Sequence, residues 1–127
     1  MGLINLLFSD PFSFIILSVC LVFSLCFHEF SHSFIAYQLG DDTSYRLGRT
    51  NINPLNHLDP IGTIMILFIG FGWAKPVPVN AYNLKNPKKD MMKIAIAGPA
   101  SNLILAFIGG SIIRVINLFS IMNNTVM

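Results

Sequence analysis

The chain has 127 residues, 54% of them hydrophobic and 11% charged, with a formal net charge of +2. Soluble domains carry about 25% charged residues, and so short a chain cannot hide this much apolar surface in its own core, so a soluble globular fold and a disordered chain are both excluded. The eight Lys and Arg form no basic run, which removes nucleic acid from the candidate partners and leaves the lipid bilayer.

From Pro11 to Gly40 there are thirty residues without Asp, Lys or Arg. Proline suits the first turn of a helix and glycine its end, so the stretch predicts a membrane-spanning helix over about 11–39. No Lys or Arg precedes Arg46, so the positive start of a secretory signal is missing and the segment is expected to stay in the mature protein. Cys20 and Cys26 both lie inside this run and read as small apolar residues rather than a disulfide pair.

The stretch 41–60 is polar and punctuated by Asn, Gly and Pro, with a short element at 45–52 that reads as β strand and offers an edge for an unwound peptide. Residues 61–73 are apolar but number only thirteen, about 20 Å as helix against about 30 Å of hydrocarbon, which predicts a short or re-entrant segment. Five of the eight basic residues fall between Lys75 and Lys93. Twenty uncharged residues from Ile94 to Ile113 then predict a second span over about 94–116, kinked at Pro99. Basic loops face the cytoplasm, and both polar stretches do so if 61–73 is re-entrant. The fold class expected is an all-α polytopic membrane protein forming a single membrane-embedded domain over 1–127.

The first span carries His28-Glu29-Phe30-Ser31-His32, an HExxH pattern. On a helix, residues four apart share a face with Cβ atoms about 5–6 Å apart, so His28 and His32 can reach one Zn2+ ion. Glu29 sits one step round, near enough to take a proton from water at the metal without ligating it, which is the arrangement of a hydrolytic site. Each charge placed centrally in a membrane helix costs about 2.5–3.5 kcal/mol on insertion scales, and a bound cation offsets that cost. A soluble protease helix would show a polar far face, whereas residues 11–27 show little beyond Ser13, Ser18 and Ser24. A polar trio bonding a neighbouring helix is the structural alternative. Metal transport would require ionisable groups along a path on several helices.

Ala95, Gly98, Asn102, Ala106 and Gly109 draw a small-residue stripe on the last helix, to be packed against Ser24, His28 and Ser31 or His32 with Asn102 near the metal. Asn102 is thereby a candidate supporting residue, orienting a ligand or an oxyanion. His57 and Asp59 are ligands by residue type, although both also suit a braced loop.

Beyond these readings the chain resembles the site-2 protease family of intramembrane zinc metalloproteases, in its compact bacterial branch. The resemblance rests on the HExxH segment followed by Ser33-Phe34, on residues 48–63 (GRTNINPLNHLDPIGT), on 71–80 (FGWAKPVPVN), and on 97–102 (AGPASN), all in family order. It implies His28 and His32 as zinc ligands, Glu29 as catalytic base, and a transmembrane protein segment as substrate. It also implies residence in a bacterial cell membrane, where the basic loops put the site toward the cytoplasm. Family members supply a third ligand from a Leu-Asp-Gly motif on a later helix, and this sequence has none. The domain is therefore read as C-terminally incomplete, or completed by another subunit, or by His57 or Asp59. The alternative is a non-catalytic membrane module that keeps the His pair for assembly or regulation.

Overall fold

The computed structural model describes residues 2–125. In chain order it contains α1 (Leu3–Ser9), α2 (Pro11–Gln38), α3 (Thr43–Arg46), α4 (Pro54–His57), α5 (Pro60–Ile69), a 3-10 turn (Ala81–Asn83) and α6 (Pro87–Thr125). Among the described residues there is no strand, only one isolated antiparallel bridge between Leu58 and Ala74. The all-α class holds, and α2 and α6 are each long and apolar enough to cross a bilayer.

Asp10 starts α2: its side chain accepts from the Ser13 amide at 3.2 Å, and Pro11 occupies the first helical position. The long helices run antiparallel. Ser24 meets Asn102, His28 meets Asn102, and His32 meets Ile94, so the partner number rises as the α2 number falls. The buried apolar core is small, formed by Ala36, Leu84 and Ile94 with Ile35, Leu39 and Val79 against them. Most large apolar side chains of α2 and α6 instead point outward, including Phe12, Val19, Leu103 and Phe107. That distribution is stable only where the surroundings are apolar as well.

The helix boundaries differ from the expectation mainly in α6, which starts at 87 and runs to 125 instead of covering 94–116. An apolar window marks the part of a helix that suits lipid, not where its hydrogen bonding stops. The start is set by Asn86, whose amide donates to Asp90 at 3.2 Å, and by Pro87 at the first position. α1 was not visible in the sequence because seven residues are too few to establish a period.

The strand expected over 45–52 is not formed. Residues 43–46 are helical, 47–48 form a turn and 49–52 are irregular. Backbone bonds stay local, from Arg46 to Asp42 (2.9 Å) and from Arg49 to Ser44 (3.0 Å), and no neighbouring strand offers a ladder. Buried hydroxyls fasten this turn to α2, with Ser33 Oγ 2.7 Å from Ser44 Oγ and 2.6 Å from Thr50 Oγ1. Asp41, fully buried, accepts from Thr43, from the Asn80 amide and from Asn83, and so ties the end of α2 to the segment leading into α6.

The short apolar segment is re-entrant in its geometry. Asp59 caps α5 by accepting from the Ile61 and Gly62 amides (2.9 and 3.1 Å). Ten helical residues reach about 15 Å, half the hydrocarbon thickness. Gly70, at φ 87°, turns the chain back with a left-handed residue that glycine adopts without steric cost. The returning segment then passes against α5, where Gly62 and Gly72 allow backbone to touch backbone. Closure is made by the Leu58–Ala74 bridge and by the Lys75 amide donating to the His57 carbonyl at 2.8 Å. Residues 58 and 74 therefore lie at the same level, and seven of the eight basic residues, all but Arg114, fall on the segments that this closure gathers at one end of the helix pair.

His57 is fully buried beneath this hairpin, with Nε2 against the Asn51 carbonyl. Burial pushes its pKa down, the Asn51 bond opposes this, and the Arg49 charge adds to the lowering. Since the folded pKa lies below the unfolded one, the stabilisation is complete above about pH 6.5 and is lost as pH falls below it. The expected result is a melting temperature in detergent that drops by several degrees from pH 7.5 to 5.5, and drops less in His57→Gln. Parallel curves for the two proteins would assign the acid sensitivity to another group.

Candidate metal centre

Two turns of α2 carry the candidate ligands, and α6 orients them. His28 and His32 stand edge to face with ring centroids 4.7 Å apart and their Nε2 atoms 3.1 Å apart. His32 Nδ1 donates to the Ile94 carbonyl at 2.6 Å, which fixes the tautomer and leaves Nε2 with its lone pair. On the other ring, Ser24 Oγ donates to Asn102 Oδ1 at 3.1 Å and Asn102 Nδ2 donates to His28 Nδ1 at 3.0 Å. The remaining proton of His28 thus sits on Nε2 and points at His32. Hydrogen bonds run unbroken from Ser24 through Asn102, His28 and His32 to the Ile94 carbonyl.

The face of α6 that makes these contacts is Ile94, Gly98 and Asn102, spaced four apart. The stripe read from the sequence contained Gly98 and Asn102, but its Ala95 and Ala106 are exposed. Small size alone did not identify the facing residues. Ile94 contributes through its carbonyl oxygen, which no side-chain pattern could reveal.

Glu29 lies beside His32 on a cavity of about 270 Å³ whose other walls are Pro76, Val77, Val79 and Ile94. Pro76 and Pro78 keep the 74–79 segment extended, so the wall is a stretched backbone rather than a helix. Arg49 donates to the Lys75 and Pro76 carbonyls at 2.7 and 3.1 Å, holding that wall while its charge acts on Glu29. Neither the wall nor Arg49 was singled out from the sequence as part of the site. The only signals were two prolines two residues apart and one basic residue in a polar loop.

His57 and Asp59 go elsewhere. Asp59 caps α5 and His57 braces the 51–57 turn, and the described residues contain no cluster of three or more His, Cys, Asp or Glu able to hold a metal. The centre thus consists of two converging imidazoles and a neighbouring carboxylate. Such donors suit zinc, which takes imidazole nitrogens at about 2.0–2.1 Å and in catalytic sites has three protein ligands and an open position. The residues present fit two of those three ligands. Asn102→Leu is expected to weaken zinc binding about 10–100-fold, the usual effect of removing a partner of a ligand histidine, as measured by competition with a chromogenic chelator. Unchanged affinity would mean that the Asn102 bond does not orient His28.

An HExxH pair inside an apolar helix, backed by a second helix and open on the Glu side, offers two imidazoles and a carboxylate to a metal ion. Comparison with known proteins finds relatives named as zinc metalloproteases. The chain is 53% identical over 93 residues to a Bacillus subtilis (strain 168) protein named "Putative zinc metalloprotease YwhC", covering 73% of this chain and 42% of that protein. It is 31% identical over 99 residues to a Mycolicibacterium smegmatis protein named "Putative zinc metalloprotease Rip2", covering 73% of this chain and 38% of that one. A Mycobacterium tuberculosis protein of the same name is 30% identical over 91 residues. The chain spans between about a third and two fifths of the length of these curated relatives. No family model and no solved structure matches it.

Proposed function

We propose that the chain forms the metal-binding portion of an intramembrane zinc metalloendopeptidase of the site-2 type, which hydrolyses peptide bonds in or near transmembrane segments of membrane proteins. The observation that carries this reading is the convergence of the His28 and His32 Nε2 atoms in an apolar helix, beside a Glu29 that opens onto a cleft. Zinc, when bound, supplies a Lewis acid for the scissile carbonyl and lowers the pKa of water at the site.

The chain's own residues do the rest. Ile94 and Asn102 hold the two rings so that their Nε2 atoms meet. Ligation requires the His28 proton to move to Nδ1, and the Asn102 amide, turned over, accepts it through Oδ1 while its NH2 group donates to Ser24. Glu29 accepts a proton from attacking water at the cleft and returns it to the leaving amine. Pro76 to Val79 shield that exchange from the side and leave an apolar surface for the substrate.

Seven of the eight Lys and Arg lie in the segments at the end of the helix pair nearer the His pair, and the positive-inside tendency then puts that end in the cytoplasm. The second reading is a membrane module that keeps the His pair without catalysis. The two are separated with the protein encoded by the full reading frame, purified in detergent and given a transmembrane reporter. Cleavage that is abolished by a zinc chelator and restored by added zinc is expected. Chelator-resistant cleavage, or bound zinc with no cleavage, would overturn the protease reading.

A further inference from the structure

Each glycine in this chain can be judged by what a side chain at that position would meet. At Gly62 and Gly72 the obstacles are mainly backbone atoms, so those glycines permit chain segments to touch. At Gly109 and Gly110, also in α6, there is nothing within 4 Å. Gly98 is different from both groups. A methyl group there would lie 2.5 Å from His28 Nε2, closer still to His32 Nε2, and 2.6 Å from His32 Cε1. Its three nearest neighbours are all imidazole atoms, and none belongs to the backbone of α2.

The position of that absent methyl is also near both candidate ligand atoms at once. Real side-chain carbons essentially never come within 3.0 Å of another heavy atom, so a methyl group here would force both Nε2 atoms to move. We propose that Gly98 is the space-keeping residue of the metal centre: the side chain it lacks would displace the two Nε2 atoms that His28 and His32 must bring together on one shared ion. The proposal rests on the metal-centre reading of the His pair and adds to it a requirement on the opposite helix. It predicts that even the smallest side chain at 98 separates metal binding from folding. Imidazole rings turn about two side-chain torsions, so they can swing away from a methyl group without moving either helix, and alanine is the better helix former. The helix pair then survives while the two nitrogens no longer meet.

The test uses the chain in detergent micelles, titrated with zinc against a competing chelator, with the metal-free melting curve recorded in parallel. Gly98→Ala is compared with wild type and with Gly109→Ala, which makes the same chemical change where there is open space. The expected result is a zinc affinity at least about a hundredfold weaker in Gly98→Ala, beyond the usual effect of an outer partner. Its metal-free melting curve and both properties of Gly109→Ala should match wild type. Equal zinc affinity in Gly98→Ala and wild type would overturn this inference and leave the metal centre standing. Loss of binding together with a collapsed metal-free melt would also overturn it, making Gly98 a packing residue. Failure of wild type itself to bind zinc would overturn the metal-centre reading, and this inference with it.

Discussion

Glu29→Gln in the full-length protein is expected to lower the rate of reporter cleavage by about a thousandfold and to leave its zinc content at the wild-type level. The amide keeps the size of the carboxylate but cannot accept a proton, and general-base groups contribute about 10²–10⁴-fold. Zinc content is expected to be insensitive because the proposed ligand atoms are the Nε2 atoms of His28 and His32, whose orientation is set by Ile94 and Asn102 on α6 rather than by Glu29. The distinction between the two readouts matters, since His28→Ala or His32→Ala should remove metal and activity together. Retention of more than about a tenth of the wild-type rate in Glu29→Gln would exclude Glu29 as the proton acceptor.

The second large effect is expected far from the His pair, at Gly62→Ala. A methyl group there would press into the Trp73 carbonyl, with the Trp73 carbonyl carbon at 2.9 Å and its amide nitrogen at 3.0 Å. Those are backbone atoms and cannot rotate aside, so α5 and the returning 71–74 segment must part. Overpacking of this kind costs about 1–3 kcal/mol, and the rigidity of the obstacle puts the change at the upper end. Separation would also loosen the Leu58–Ala74 bridge and the Lys75 to His57 bond, on which the course of the 76–79 wall depends. A lower melting temperature and new proteolytic cleavage within 70–78 are therefore expected, with Gly109→Ala as the silent control. A Gly62→Ala protein that melts with wild type and resists protease as well would show that the hairpin does not need this crossing.

Particular residues show where sequence reasoning reached and where it stopped. The His28 and His32 pair was legible because four residues make one turn of helix, a relation contained within five consecutive residues. Both long helices were legible from uncharged runs, and the re-entrant option for 61–73 followed from its length alone. The strand at 45–52 was misread because alternation in so short a stretch does not specify a partner, and the partner that exists is α2, through Ser33. Asp59 and His57 have the chemistry of ligands, yet their surroundings make one a helix cap and the other a buried brace.

The sequence by itself determined the apolar character of the chain, its two long helices and the placing of His28 and His32 on one helix face, since apolarity and helical period are properties of neighbouring residues. Tertiary structure decided that the apolar hairpin closes on itself, that Ile94, Gly98 and Asn102 form the opposing face, and that the cleft opens at Glu29. The physical reason is separation along the chain: His32 is oriented by a carbonyl 62 residues away and His28 by an amide 74 residues away. Ring orientation and proton placement depend on those distant atoms, and only the packing of α6 on α2 brings them into reach.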